Sequence, residues 1–153
     1  MRKLLIGLSI LVALIGLSQL YFYELEPEDY VISMTGNNAI DCGTVDICDD
    51  STNSDNCAIK ALSENKPFGV WYWIQGIDSK IGYGITLNEK GVLNAIEYDN
   101  YGILPVKVKH FYQVHKCSKP DLKLVLGKQR IDCEEAEFIH YVNEHPTSPA
   151  FCE

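Results

Sequence analysis

Histidines and aspartates are the residues of this chain that would suit a metal site. His110 and His115 lie five positions apart, and so do His140 and His145. That offset puts the two members of a pair on opposite faces of a strand, or about 140° apart around a helix. Neither pair can therefore chelate a metal ion from a regular element.

Five aspartates crowd one stretch, and carboxylate oxygens in a loop are the ligands that calcium prefers. They are Asp41, Asp46, Asp49, Asp50 and Asp55. The twelve-residue calcium-binding loop needs glycine at its sixth position and glutamate at its last. A loop that starts at Asp49 would have Ser54 and Lys60 there. We interpret the stretch as a solvated acidic loop, and we predict no metal and no cofactor.

Nucleophilic catalysis has little support in the sequence. No nucleophile elbow of the form Gly-x-Ser-x-Gly occurs. Ser79 adjoins Asp78 in a predicted turn, where both side chains are favoured for backbone hydrogen bonding alone. Glu97, His110 and His115 are the remaining residues from which an acid–base pair could be built. The sequence leans against an enzyme, and a hydrolase of unrecognised type is the less favoured alternative.

The cysteines indicate an oxidising compartment, because all six follow the first 23 residues and no Cys-x-x-Cys pair occurs. They are Cys42, Cys48, Cys57, Cys117, Cys133 and Cys152. Three disulfides is the simplest interpretation. We expect the first three cysteines to lie near one another, and Cys133 to bond to Cys152 around a last helix.

The N-terminus predicts how the chain reaches that compartment. Met1-Arg2-Lys3 is a basic head, and residues 4–23 carry no charge before a run of acids begins. Twenty apolar residues suffice to cross about 30 Å of hydrocarbon as a helix, and the basic head stays on the cytoplasmic side. Residues 1–23 are therefore a predicted signal-anchor; the alternative is a signal peptide, residues 1–18, that is cleaved.

The predicted membrane segment indicates a cellular location and leaves two further regions of the chain to interpret. We expect a single-pass protein of a bacterial inner membrane with its domain in the periplasm, since no Asn-x-Ser/Thr acceptor occurs. The alternative is a secreted or periplasmic protein after cleavage. Residues 24–53 are acidic and Asn-rich, and we interpret them as a tether and irregular loop. Residues 54–153 would form an α+β extracytoplasmic domain, starting with a helix at about 55–65 that Ser54 or Asp55 caps.

Residues 68–98 contain three runs rich in β-branched and aromatic residues, separated by turn residues. A two-residue loop in the first hairpin would place Tyr72 opposite Tyr83. A four-residue loop in the second hairpin would place Leu87 opposite Val92. These registers put Trp71 beside Gly84, and Trp73 beside Gly82 and Glu97.

That aromatic face is the predicted binding site, with Trp71, Trp73, Gly82, Gly84 and Glu97 as its residues. Aromatic side chains over glycines can form a shallow platform, and aromatic residues are common anchors of protein interfaces. Sheet glycines beside aromatics also stabilise a sheet. The alternative is that a helix covers this face and both tryptophans belong to the core.

The rest of the chain completes the predicted fold. We expect strands at about 106–116, 122–126 and 128–132, and then a helix that Asp132 and Glu135 cap and that runs to about 144. The predicted class is α+β: an N-terminal membrane segment, then a small disulfide-stapled antiparallel meander of four to six strands, with one or two helices packed on one face.

Charge narrows the choice of partners. The net charge of −8 disfavours nucleic acid, whose binding depends on lysine and arginine. Residues 24–103 carry 14 acids and 4 bases, whereas residues 104–130 carry 7 bases and one acid. The basic stretch either pairs with the acids of the same chain or docks an anionic partner such as phospholipid headgroups. We expect a non-enzymatic protein-binding or accessory envelope protein; the alternative is a small-ligand or lipid-binding domain.

Overall fold

The computed structural model describes residues 26–75, 80–99, 111–125 and 128–136. Two helices lie within these ranges, α1 (Pro27–Thr35) and α2 (Thr52–Ser63). The strands are β1 (Ile40–Val45), β2 (Phe68–Gln75), β3 (Lys80–Leu87), β4 (Leu93–Asp99), β5 (Phe111–Lys116), β6 (Pro120–Val125) and β7 (Lys128–Cys133).

Strands β1 to β5 form one sheet in sequence order, and β6 pairs with β7 in a separate two-stranded sheet. The antiparallel meander is confirmed for β2 to β5. The sheet as a whole is mixed, because β1 lies parallel to β2 at its edge. A parallel neighbour needs a crossover connection, and α2 lies in that connection.

The register of the first hairpin is confirmed at every position described. Tyr72 pairs with Tyr83, and the two tryptophans of β2 pair with glycines of β3, Trp71 with Gly84 and Trp73 with Gly82. A slip of one residue would exchange the two faces of β3, and the tryptophans would lose the glycines beside them.

The predicted register of the second hairpin is wrong by one residue. Leu87 pairs with Leu93, so the loop has five residues and not four. Asn88 closes it, since its side-chain oxygen accepts from the backbone N–H groups of Lys90 and Val92. Gly91 has φ +72°, which glycine adopts without a steric penalty. The shift of one residue reverses the faces of β4 and moves Glu97 away from the tryptophans.

The two helices lie on opposite faces of the sheet, which corrects the prediction of helices on one face. The core cluster that contains Ala58 and Ala61 of α2 also contains Phe68, Val70 and Tyr72. Val31 of α1 belongs to the other cluster, with the tryptophans. Both faces of the central strands are therefore covered, which explains why most strand positions of β2, β3 and β4 whose side chains are described are buried.

Residues 24–53 were interpreted as irregular, and this is wrong for α1 and β1. The start of α1 has Pro27 at a first-turn position, followed by Glu28 and Asp29. Proline there lacks only an N–H that would be unpaired anyway, and acids favour the helix dipole.

The helix predicted at about 55–65 is confirmed as α2, but it begins earlier, at Thr52. Its N-cap residue is Ser51, so the prediction that Ser54 or Asp55 caps it is wrong. Asp50 accepts hydrogen bonds from the N–H and the hydroxyl of Thr52.

Two disulfides join described cysteines, and one contradicts the prediction. Cys42 of β1 bonds to Cys57 of α2, as their expected proximity implied. Cys133 bonds to Cys117 and not to Cys152. Because Cys117 follows β5, this bond fastens the five-stranded sheet to the end of β7. Cys48 is disulfide-bonded as well.

The remaining predictions are confirmed in part or lie outside the described residues. Strands β5, β6 and β7 occupy three predicted positions, although residues 106–110 are outside the described part. Asp132 lies in β7, and the carboxylate of Glu135 accepts hydrogen bonds from Ser118. The helix expected to follow, and residues 1–23, lie outside the described ranges. Within those ranges, no helix is both long and apolar enough to cross a membrane.

Candidate functional site

Four of the five predicted site residues come together in a buried aromatic cluster. Trp71 is 1% exposed and Trp73 is 8% exposed. A Cβ atom at Gly82 would lie 2.6 Å from Trp71 Cζ2, and one at Gly84 would lie 2.8 Å from Trp71 Cε3. The missing glycine side chains therefore make the space in which the indole ring lies.

Helix α1 covers this cluster, so the alternative in which the tryptophans are core describes the fold. Val31 Cγ2 would lie 2.8 Å from a Cβ at Gly84. The indole Nε1 of Trp73 donates a 3.0 Å hydrogen bond to Glu28 Oε1. The reversed faces of β4 bring Ile96 and Tyr98 into the cluster, where Tyr98 meets both indoles edge-on.

Glu97, the fifth predicted site residue, lies on the opposite face of the sheet. Its carboxylate is 3.2 Å from His115 Nε2 on the neighbouring strand. Two of the three residues considered for acid–base chemistry are thus in contact, while His110 is outside the described residues. Side-chain pairs across adjacent strands stabilise a sheet, and this role accounts for the contact.

Asp55 is the centre of a buried polar cluster that sequence reasoning missed. Its side chain accepts 2.7 Å hydrogen bonds from the hydroxyls of Tyr72 and Ser51. Arg130 of β7 lies 3.5 Å from the same carboxylate and donates to Ser51 Oγ at 2.9 Å. The cluster joins α2, the sheet and the β6–β7 hairpin, so Asp55 has a structural role.

Among the described residues, three ion pairs join the basic stretch to acids of the same chain. Lys128 contacts Asp50, Lys123 contacts Asp132, and Arg130 contacts Asp55. The hydrogen bonds from Lys128 and Thr52 hold the pKa of Asp50 well below its usual range. These contacts favour the interpretation that the basic stretch complements acids of its own chain.

Tyr72 of the polar cluster stacks on Tyr83, and the burial of both rings predicts how stability changes at alkaline pH. Burial raises the pKa of Tyr83 to about 12 and raises that of Tyr72 well above 10.0. An unfolded tyrosine loses its proton near pH 10, whereas folded Tyr83 keeps it. The contribution of Tyr83 to the free energy of unfolding is therefore fully present below pH 10 and is lost as the pH rises from 10 to about 12. We expect Tyr83 to account for about 2–3 kcal/mol of that loss.

Urea unfolding at a series of pH values measures this loss. The matched variant is Tyr83→Phe, because the hydroxyl of Tyr83 is buried without a hydrogen-bond partner in the described structure. The variant should keep its stability near pH 8 and should lose less of it by pH 11.5. Equal losses in the two proteins would contradict the assignment.

The described structure contains a groove of about 280 Å³ between α1 and the edge strand β1. Glu28, Ile32 and Thr35 line it from α1, where their spacing places them on one side of the helix. Asp41 and Thr44 line it from β1. The groove exists because α1 contacts β2 and β3 but leaves the same face of β1 open.

Exposed apolar side chains border the groove. Ile32 is 52% exposed and Ile40 is 38% exposed. Trp71 forms part of the groove wall, and its Nε1 is buried without a hydrogen-bond partner among the described residues. Trp71 is therefore the predicted site residue that belongs both to the buried cluster and to the lining of the groove.

The surroundings of the groove are acidic. Glu26 and Asp29, at the start of α1, are exposed. Glu28 and Asp41 belong to the groove lining itself. A positively charged partner is therefore favoured here over an anionic one.

The outer edge of β1 is poorly suited to pair with a further strand. Its register to β2 is interrupted between Asp41 and Thr44. Gly43 has φ +86°, and its N–H donates to Asp41 Oδ1. Bulges of this kind and side chains that cap the backbone protect edge strands from pairing. The open face of β1 is available, and its edge is not.

Comparisons with protein-family models, with curated proteins and with solved structures found no match for this chain. The groove was missed by sequence reasoning, because α1 and β1 lie in the stretch taken for a tether. One signal was available, since Pro27-Glu28-Asp29 is a typical helix start.

Proposed function

We propose that this chain is an extracytoplasmic, non-enzymatic protein-binding module that holds a partner protein in the groove between α1 and β1. The observation that carries the proposal is the pair of exposed isoleucines, Ile32 and Ile40, at the border of an otherwise formed groove. Large exposed apolar side chains grouped around a concavity are typical of interaction sites.

Export supports the same proposal. The disulfides Cys42–Cys57 and Cys117–Cys133 persist in an oxidising compartment, and residues 4–23 have the composition of a membrane segment or signal peptide. A periplasmic domain of a single-pass inner-membrane protein fits both, and a secreted or periplasmic protein after cleavage is the alternative. Either way, the partner is an envelope or extracellular protein.

A photoreactive amino acid in place of Ile32 or Ile40, in cells that naturally make the protein, tests this proposal. The matched control is the same substitution at Leu124, a 73% exposed residue of β6 outside the groove. We expect both groove positions to give an adduct with one and the same protein, and Leu124 to give none. No adduct at the groove positions, or the same adduct at all three, would contradict the proposal.

A small ligand in the groove is a second candidate function. The volume of about 280 Å³ is close to the lower end of ligand pockets. Trp71 contributes an aromatic side chain to the lining of the groove, and ligand pockets are lined mostly by hydrophobic and aromatic residues. Native mass spectrometry of the purified protein, with organic extraction of any bound compound, distinguishes this candidate from protein binding.

A further inference from the structure

We propose that the groove binds a basic amphipathic helix of the partner protein, seated beside α1 on the open face of β1. This inference rests on the proposed function and names the chemistry of the partner at the same site. The partner segment is helical rather than extended, and it carries positive rather than negative charge.

The position of α1 supports a helix. Two packed helices lie about 8–10 Å apart, which is about two strand spacings of 4.7–4.9 Å. Since α1 contacts β2 and β3, a helix at that distance would lie over β1 and complete the layer.

The side of α1 that faces the groove has the character of half a helix–helix interface. Ile32 lies between Glu28 and Thr35 on this side, and an apolar stripe on a partner helix would cover its exposed side chain. A partner strand would instead need the backbone edge of β1, which the bulge and the hydrogen bond from Gly43 to Asp41 obstruct.

Charge selects a basic helix. Glu28 and Asp41 lie in the groove wall, and exposed Glu26 and Asp29 flank the start of α1. An acidic helix would bring like charges together, which costs affinity. Lysine or arginine side chains on either side of an apolar stripe would match both the isoleucines and these carboxylates.

Crosslink spacing tests the helix. The photoreactive amino acid is placed in turn at Ile32, Asn37 and Thr44 of the full-length protein, and the joined residues of the partner are identified by mass spectrometry. We expect those residues to be three or four positions apart, in a stretch with a net positive charge. A spacing of two positions, or a stretch with a net negative charge, would overturn this inference and leave the proposed function standing. No adduct at any position would overturn both.

A variant in which amides replace two carboxylates of the groove wall tests whether negative charge there attracts the partner. Glu28→Gln with Asp41→Asn removes two charges but keeps the acceptors for Trp73 Nε1 and the Gly43 N–H. We expect the affinity for the partner to fall about fivefold at low salt. The control, Asp46→Asn with Asp49→Asn, removes the same charge from exposed positions outside the groove wall. An equal loss in both variants would reduce the effect to net charge and overturn the assignment.

Discussion

Replacing Asp55 by alanine is expected to lower the free energy of unfolding by about 3–5 kcal/mol. The carboxylate accepts from Tyr72 and Ser51 and lies beside Arg130, and Asp55 itself is 3% exposed. Alanine would leave two buried hydroxyls without their acceptor and a guanidinium without its counter-charge, and unmade bonds of buried groups are costly. Urea unfolding followed by circular dichroism at pH 7 measures the change.

Two control variants make the result specific to this cluster. Asp49→Ala removes an exposed aspartate from the same acidic stretch and should change stability by less than about 0.5 kcal/mol. Asp55→Asn keeps one acceptor and should be intermediate. If Asp55→Ala and Asp49→Ala were equally stable, the polar cluster would not hold α2, the sheet and β7 together.

The second large effect is expected at Trp71. Trp71→Ala should cost about 3–5 kcal/mol, because it empties the space above Gly82 and Gly84 under α1. Thermal unfolding measures it. Trp71→Phe keeps an aromatic ring in that space and should cost less.

The outcome at Trp71 decides between core and exposed platform. A platform residue is solvated in the free protein, so its loss would leave the free energy of unfolding nearly unchanged. A Trp71→Ala variant as stable as the original protein would therefore contradict the position of α1 over this face. A destabilised variant would agree with the exposure of 1%.

The sequence predicts the first hairpin well because two independent constraints agree there. Alternating apolar side chains and a short connection fix the same register, and the pairing of both tryptophans with glycines follows from it. The second hairpin has only the first constraint. Asn88 and Gly91 indicate a turn, but their types do not distinguish a loop of four residues from one of five.

That single residue changes the predicted site. With a four-residue loop, Glu97 would lie beside Trp73, whereas the actual loop places Tyr98 there and turns the Glu97 carboxylate to the other face, where it contacts His115. A register error of one reverses every side chain of a strand. The sequence therefore predicts the tryptophans and glycines of the aromatic cluster, but it does not predict the position of Glu97.

The groove was harder to predict because neither of its walls has a strong local pattern. Helix α1 has nine residues, and only Pro27, Val31 and Thr35 are buried, so its apolar periodicity is weak. Strand β1 is defined by parallel pairing with β2 across the intervening α2. Pairing between distant segments leaves little trace in local sequence.

The most direct test of protein binding at the groove is Ile32→Glu, studied for partner binding and for stability in the same preparation. Ile32 is 52% exposed, so the melting temperature should stay within about 2 °C of the original value. We expect binding of the partner identified by crosslinking to fall at least about tenfold, because a charge would replace the apolar border of the groove. Unchanged binding at unchanged stability would contradict the account.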